Sequence, residues 1–289
     1  MLDSSGAESC TLAANGHASR RARTGGWLVP GALLLAGVLC TSAQAAQVRL
    51  SKADALRIGK KVWQNECAGT IAGLTSWNAG ENFASLGIGH FIWYPKGVRG
   101  PFEESFLAFI NFAEARTATV PNIVRENRSS GCPWASRAEF TSAAETAGMN
   151  QLRQFLADTI GLQADFLVQR LEQSLPKMLA AAPSGERANI QRQFERVAST
   201  AHGCYALVDY VNFKGEGVLE TERYRGRGWG LLQVLAGMSG TNAGISATQD
   251  FAQSARQVLS ERVKHSPPER GETRWLRGWL SRVNSYNEA

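Results

Sequence analysis

The stretch from Trp63 to Pro95, WQNECAGTIAGLTSWNAGENFASLGIGHFIWYP, narrows the possible folds more than any other part of the chain. A helical pattern runs into it and stops near Glu66. Ser51-Lys52-Ala53-Asp54 resembles a capping box, which starts a helix by giving free backbone amides a side-chain acceptor. Ala55, Ile58, Gly59, Val62 and Trp63 then fall on one face, while Lys52, Lys60 and Lys61 lie elsewhere. Glu66 continues the apolar face, so its carboxylate is expected to turn toward the protein. From residue 68 to 94 the helical period is lost. The Gly, Thr, Trp and Phe residues there predict a twisted hairpin or small sheet that closes on Gly87-Ile88-Gly89-His90.

Helical signals dominate the remainder. Phe102, Phe106, Phe109, Ile110 and Ala113 predict an amphipathic helix with Glu103 and Glu104 in its first turn, where the helix dipole favours acids. Residues 122–133 read as an exposed loop. Several helices follow over 136–212, with breaks near Gly148, Gly161, Pro183-Ser184-Gly185 and Gly203. A second glycine cluster spans 215–230. Helices around 247–264 and 272–284, separated by Ser266-Pro267-Pro268, end the chain. The expected fold class is mainly α (α+β): a helical domain over 46–289 with a small β-hairpin lobe and a helical insertion around 115–200.

The first 45 residues differ from the rest. Arg20, Arg21 and Arg23 form a basic region, Trp27 to Cys40 an apolar one, and Ala43-Gln44-Ala45 a small-residue cleavage site. Together they read as a secretory signal peptide, too short in its apolar part to span a bilayer. The mature protein is then periplasmic or secreted, with no stable membrane insertion. It keeps Cys67, Cys132 and Cys204, an odd number for an exported chain. One disulfide, Cys132–Cys204, and one free thiol are the expectation. The net charge of +6 falls to about +5 on cleavage, a mildly basic balance that suits an anionic wall polymer. Scattered arginines and export argue against nucleic acid, and no Cys or His spacing indicates a metal.

A glutamate on an apolar helix end is suited to one reaction in particular. Glycoside cleavage needs an acid that stays protonated near neutral pH, and desolvation together with a helix C-terminus disfavours a carboxylate's charge. A structural glutamate that caps loop amides is the plain alternative.

The segment resembles the phage-type lysozymes, the family 24 glycoside hydrolases. They place a catalytic Glu at the end of the first helix and follow it with a hairpin bearing Thr-x-Gly-x-Gly-His. Ser85-Leu86-Gly87-Ile88-Gly89-His90 matches, with Ser for Thr. The resemblance implies Glu66 as general acid and Ser85 as the residue that positions water. The family's Asp has no direct counterpart between Glu66 and His90, and Glu81 is the acid in its region. A hydrolase needs two carboxyl groups, whereas lytic transglycosylases work with one Glu and the sugar's own hydroxyl.

A second region adds to the likeness. Ala206 to Gly217 is similar to a helix end of the phage-type lysozymes. Tyr224-Arg225-Gly226-Arg227-Gly228-Trp229-Gly230-Leu231-Leu232-Gln233 resembles the Tyr-x-Gly-Arg-Gly segment of family 19 chitinases and the Gly-Leu-Met-Gln of lytic transglycosylases. The resemblance implies that Arg227 and Gln233 meet sugar hydroxyls. Trp229, like Trp77, Trp93 and Tyr94, is either a stacking platform or core. His90 is a substrate-side candidate that also reads as a hydrogen-bonder holding the hairpin. Glu216 and Glu222 read as solvated loop acids or as a second acid from across the cleft. The implied partner is peptidoglycan or a related β-1,4-linked glycan, with no cofactor. A non-catalytic glycan-binding or scaffold protein of the same fold is the alternative.

Overall fold

The computed structural model describes Val48, 50–100 and 102–287, so the proposed signal peptide lies outside the described residues. Helix α1 (Lys52–Cys67) begins where the capping signal places it: Ser51 Oγ accepts from the Asp54 amide at 3.1 Å. Ala55, Ile58, Gly59 and Val62 are its buried face. Gly59 is required by proximity, because a Cβ there would lie 2.6 Å from that of Ala164 on a neighbouring helix.

The β-rich segment forms a three-stranded antiparallel sheet, β1 (Thr75–Ser76), β2 (Ala84–Leu86) and β3 (Phe91–Trp93), in sequential order. Ser85 pairs with Ser76 on one side and with Ile92 on the other. Helix α2 (Phe106–Glu114) starts later than the sequence predicts. Glu103 and Glu104 precede it rather than occupying its first turn. Glu104 accepts from the Tyr94 amide at 3.0 Å, and Ser105 exchanges bonds with Ile92, so this stretch follows β3 instead of coiling. A short helix, α3 (Asn122–Asn127), stands within the stretch read as loop, entered through Pro121 and anchored by the buried Val124.

Helices α4 (Arg137–Ser142), α5 (Ala147–Asp158), α6 (Ile160–Ala181) and α7 (Ser184–Ala198) follow. Helix α6 packs on α1 and α2, which makes the 115–200 segment part of the main core. Helix α8 (Ala201–Lys214) is the centre of that core. Its residues from Gly203 to Tyr210 are all buried, and α1, α6 and α7 contact it. A helix buried on every side shows no amphipathic stripe, and it carries one acid, Asp209. A small antiparallel pair, β4 (Arg223–Tyr224) and β5 (Arg227–Gly228), precedes α9 (Leu231–Ala236). Helices α10 (Ile245–His265) and α11 (Thr273–Asn284) match the last two expected helices. The protein is thus mainly helical with a small two-sheet antiparallel part. Among the described residues no helix is long and apolar enough to cross a membrane.

The expected disulfide is absent: Cys67, Cys132 and Cys204 are all free and buried. Cys132 lies in the small lobe, bridged through its backbone to Pro95, whereas Cys204 sits on α8 and donates to the Ala198 carbonyl at 3.2 Å. Burial pushes both thiols up to about 12.

Candidate functional site

Glu66 occupies the last turn of α1, which the left-handed Ala68 then ends. The carboxylate is 14% exposed and is surrounded by three elements. Oε1 accepts from Asn212 Nδ2 of α8 at 3.4 Å and is paired with Arg282 Nη2 of α11. Oε2 faces His90 Nδ1, 3.4 Å away, at the end of the turn between β2 and β3. The first helix therefore does present its glutamate to the glycine-rich turn.

The sequence offered no sign of Arg282, which is fixed by Asp209. Arg282 Nε and Nη2 each donate to that fully buried carboxylate at 2.8 Å. Tyr286 Oη donates to it at 2.6 Å and Asn65 Nδ2 at 3.2 Å. Burial opposes the Arg282 charge, but hydrogen bonds and charge from Asp209, with Glu66 beside it, outweigh burial and raise its pKa above the ordinary guanidinium range. Asp209 is thus the anchor of the cation that holds Glu66. Its full burial removes it as an activator of water. A lone acid inside the apolar run Ala206–Tyr210 was the available signal, since an unpaired carboxylate is rarely buried.

Ser85 and Glu81 do meet. Ser85 Oγ donates to Glu81 Oε2 at 3.4 Å, Asn78 Nδ2 donates to the same oxygen at 3.1 Å, and Trp77 Nε1 holds the Glu81 carbonyl at 2.9 Å. Ser85 itself is buried in the central strand. The turn after it is locked to α6 by Gln163, which accepts from the Ile88 amide at 2.8 Å. Gly87 has φ +73°, and a Cβ there would collide with Gln163 Oε1. His90 also has positive φ, at +47°, and its Nε2 is buried without a partner. Cys67, next to Glu66, donates to the Gly87 carbonyl at 3.5 Å, and burial followed by the Glu66 charge pushes its thiol up to about 12. It packs as a neutral thiol.

The second motif reads differently in three dimensions. Gln233 commits both ends of its amide to backbone, accepting from Gly230 N at 2.9 Å and donating to Gly217 O at 3.0 Å. Glu222 accepts from the Gly217 and Leu219 amides, which closes the same loop. Trp229 is buried, its ring tilted 47° to that of Tyr224 at 4.5 Å between centres and 4.1 Å from the Arg262 guanidinium. Arg227 is exposed, with Glu261 3.5 Å away. Glu216 pairs with Lys177 at 3.0 Å. Of these residues Arg227 is the one whose charged end faces solvent. Trp77 and Trp93 are buried core residues.

Glu66, His90, Asn212, Arg282 and, behind them, Asp209 therefore form one charged cluster at the junction of α1, the hairpin turn, α8 and α11. No protein-family model matches this chain, and neither the curated proteins nor the solved structures contain a significant match.

Proposed function

We propose that this protein is a lysozyme-like glycosidase, a muramidase or lytic transglycosylase, that cleaves β-1,4 bonds of peptidoglycan after export to the periplasm or beyond. The observation that carries this reading is Glu66 at the end of α1, with one carboxylate oxygen turned to the Gly87–His90 turn. Oε1 already receives Arg282 and Asn212, so a proton carried by this carboxyl group sits on Oε2.

In the reaction that proton passes to the glycosidic oxygen, which leaves with the electron pair of the broken C–O bond. The electron-poor carbon is then captured by water, or by a hydroxyl of the same sugar, which gives an anhydro product; the proton shed by this nucleophile goes to the second carboxylate in hydrolysis and to the Glu66 carboxylate in transglycosylation. Hydrolysis draws on a second carboxylate, and Glu81 with Ser85 is the pair available in the hairpin. Asp209 and Arg282 act by holding Glu66 in place.

A second reading, glycan binding without cleavage, is favoured by the Glu66–Arg282 ion pair, which ties up the proposed acid. Purified peptidoglycan incubated with the mature protein separates the two. Soluble fragments released by wild type and not by Glu66→Gln support the enzyme. Sedimentation of the protein with intact polymer and no release supports binding alone. Fragment masses lacking one water identify transglycosylation.

A further inference from the structure

The end of α8 leaves Lys214 beside the Glu66 cluster without a partner. Its Nζ lies 3.4 Å from the centre of the Trp279 ring and 3.9 Å from that of Phe213. Both rings are shared with other cations: Arg262 stands 4.9 Å from Trp279, and Arg282 stands 4.3 Å from Phe213. The neighbouring carboxylates are already engaged. Glu66 and Asp209 hold Arg282. Glu272 is bridged by Arg262 through two bonds of 2.8 Å and approached by Arg270 at 3.3 Å. Three carboxylates thus face three guanidiniums, with His90 beside Glu66, and this set is balanced while Lys214 is an unprotonated amine. Among the described residues Nζ makes no hydrogen bond or ion pair. Burial pushes the amine down to about 6; Arg262 and Arg282 add to that effect, while Glu272 and Glu66 oppose it.

We infer that Lys214 is a receptor for a carboxylate carried by the glycan, and that it takes up one proton from solvent as the carboxylate docks. No covalent bond forms: amine, proton and carboxylate become an ammonium–carboxylate pair, which is neutral as a whole and leaves the charge balance of the cluster unchanged. Trp275, 42% exposed, lies 6.0 Å from Trp279 between ring centres, with the Arg274 guanidinium 4.4 Å over its ring, so the aromatic group beside Lys214 continues outward to the surface. The inference rests on the glycan reading of the Glu66 cleft.

The test is an NMR pH titration of the Lys214 Cε resonance, assigned with Lys214→Arg, in wild-type protein. N-acetylmuramic acid and its methyl ester are the probes, because neither has a glycosidic bond to cut. Without sugar and with the ester the midpoint is expected near 6. The free acid is expected to raise the midpoint by about one unit or more, a tenfold preference of acid for the protonated amine. A midpoint in the ordinary lysine range without sugar overturns the inference. Equal shifts of site resonances by acid and ester, with no change in the Lys214 midpoint, overturn it and leave the glycan reading intact. No response of any site resonance to either sugar removes both.

Discussion

Asp209→Asn tests whether Glu66 is held by a prebuilt cluster. Asp209 is fully buried and accepts four hydrogen bonds, two of them from Arg282 at 2.8 Å. Asparagine keeps the shape but removes the charge and turns an amide group toward groups that are themselves donors. Removing one member of a buried ion pair costs about 3–5 kcal/mol. Arg282 keeps Glu66 as a counter-charge, which places the expected loss at the lower end, about 3 kcal/mol. For a domain of this size that is a fall of about 6–12 °C in melting temperature. Urea unfolding followed by circular dichroism at neutral pH measures it, and a cycle with Arg282→Met supplies the control. The double variant is expected to lose clearly less than the two single losses added, because Asp209 and Arg282 no longer strand each other's charge, while the loss of Arg282 from Glu66 is common to the single and the double variant. A loss below about 1 kcal/mol for Asp209→Asn, the level of an exposed pair, or strict additivity in the cycle, refutes the reasoning.

Two further perturbations follow from the same site. Gly87→Ala places a side chain at φ +73° and displaces Gln163 from the Ile88 amide; left-handed strain plus a broken buried hydrogen bond amounts to about 2–4 kcal/mol, read by thermal melting. Lys214→Met changes the pH dependence of stability. The unfolded lysine binds a proton below its ordinary value of 10.5 that the folded amine releases above about 6, so wild-type stability rises with pH through this window. Followed by urea unfolding between pH 6 and about 7.5, below the range in which unfolded cysteines and tyrosines ionise, wild-type stability is expected to rise with pH relative to that of Lys214→Met. A constant difference contradicts the buried-amine account.

The local elements were legible because their causes are local. The Ser51 cap, the apolar face from Ala55 to Val62 and the glycine-rich turn before His90 each depend on neighbours within a few residues, and the structure places each as expected. Errors arose where a distant partner decides. Glu103 and Glu104 have the composition of a helix start, but pairing of Glu104 and Ser105 with residues 92–94 draws the segment out as an extended strand-side stretch. The cysteine count suggested a bridge that the structure does not form: Cys132 pairs through its backbone with Pro95, Cys204 lies on α8, and both thiols are free. Arg282 lies 216 residues from Glu66, and nothing in its own neighbourhood marks it among the other arginines. Asp209 was visible as an acid in an apolar run, yet its role depends on Arg282 and Tyr286, which arrive from the last helix and the turn after it. Gln233 shows the converse: its motif suggested a sugar contact, and its amide closes a loop.

The central claim is that Glu66 delivers the proton that breaks a glycan bond. The rate of soluble fragment release from purified peptidoglycan, compared between wild type and Glu66→Gln at equal folded concentration, tests it most directly. Measurable release by wild type and a loss of about 10²–10⁴-fold in the variant, the range of a general acid, are the expected results. Equal rates, or no release by the wild-type protein, would contradict it.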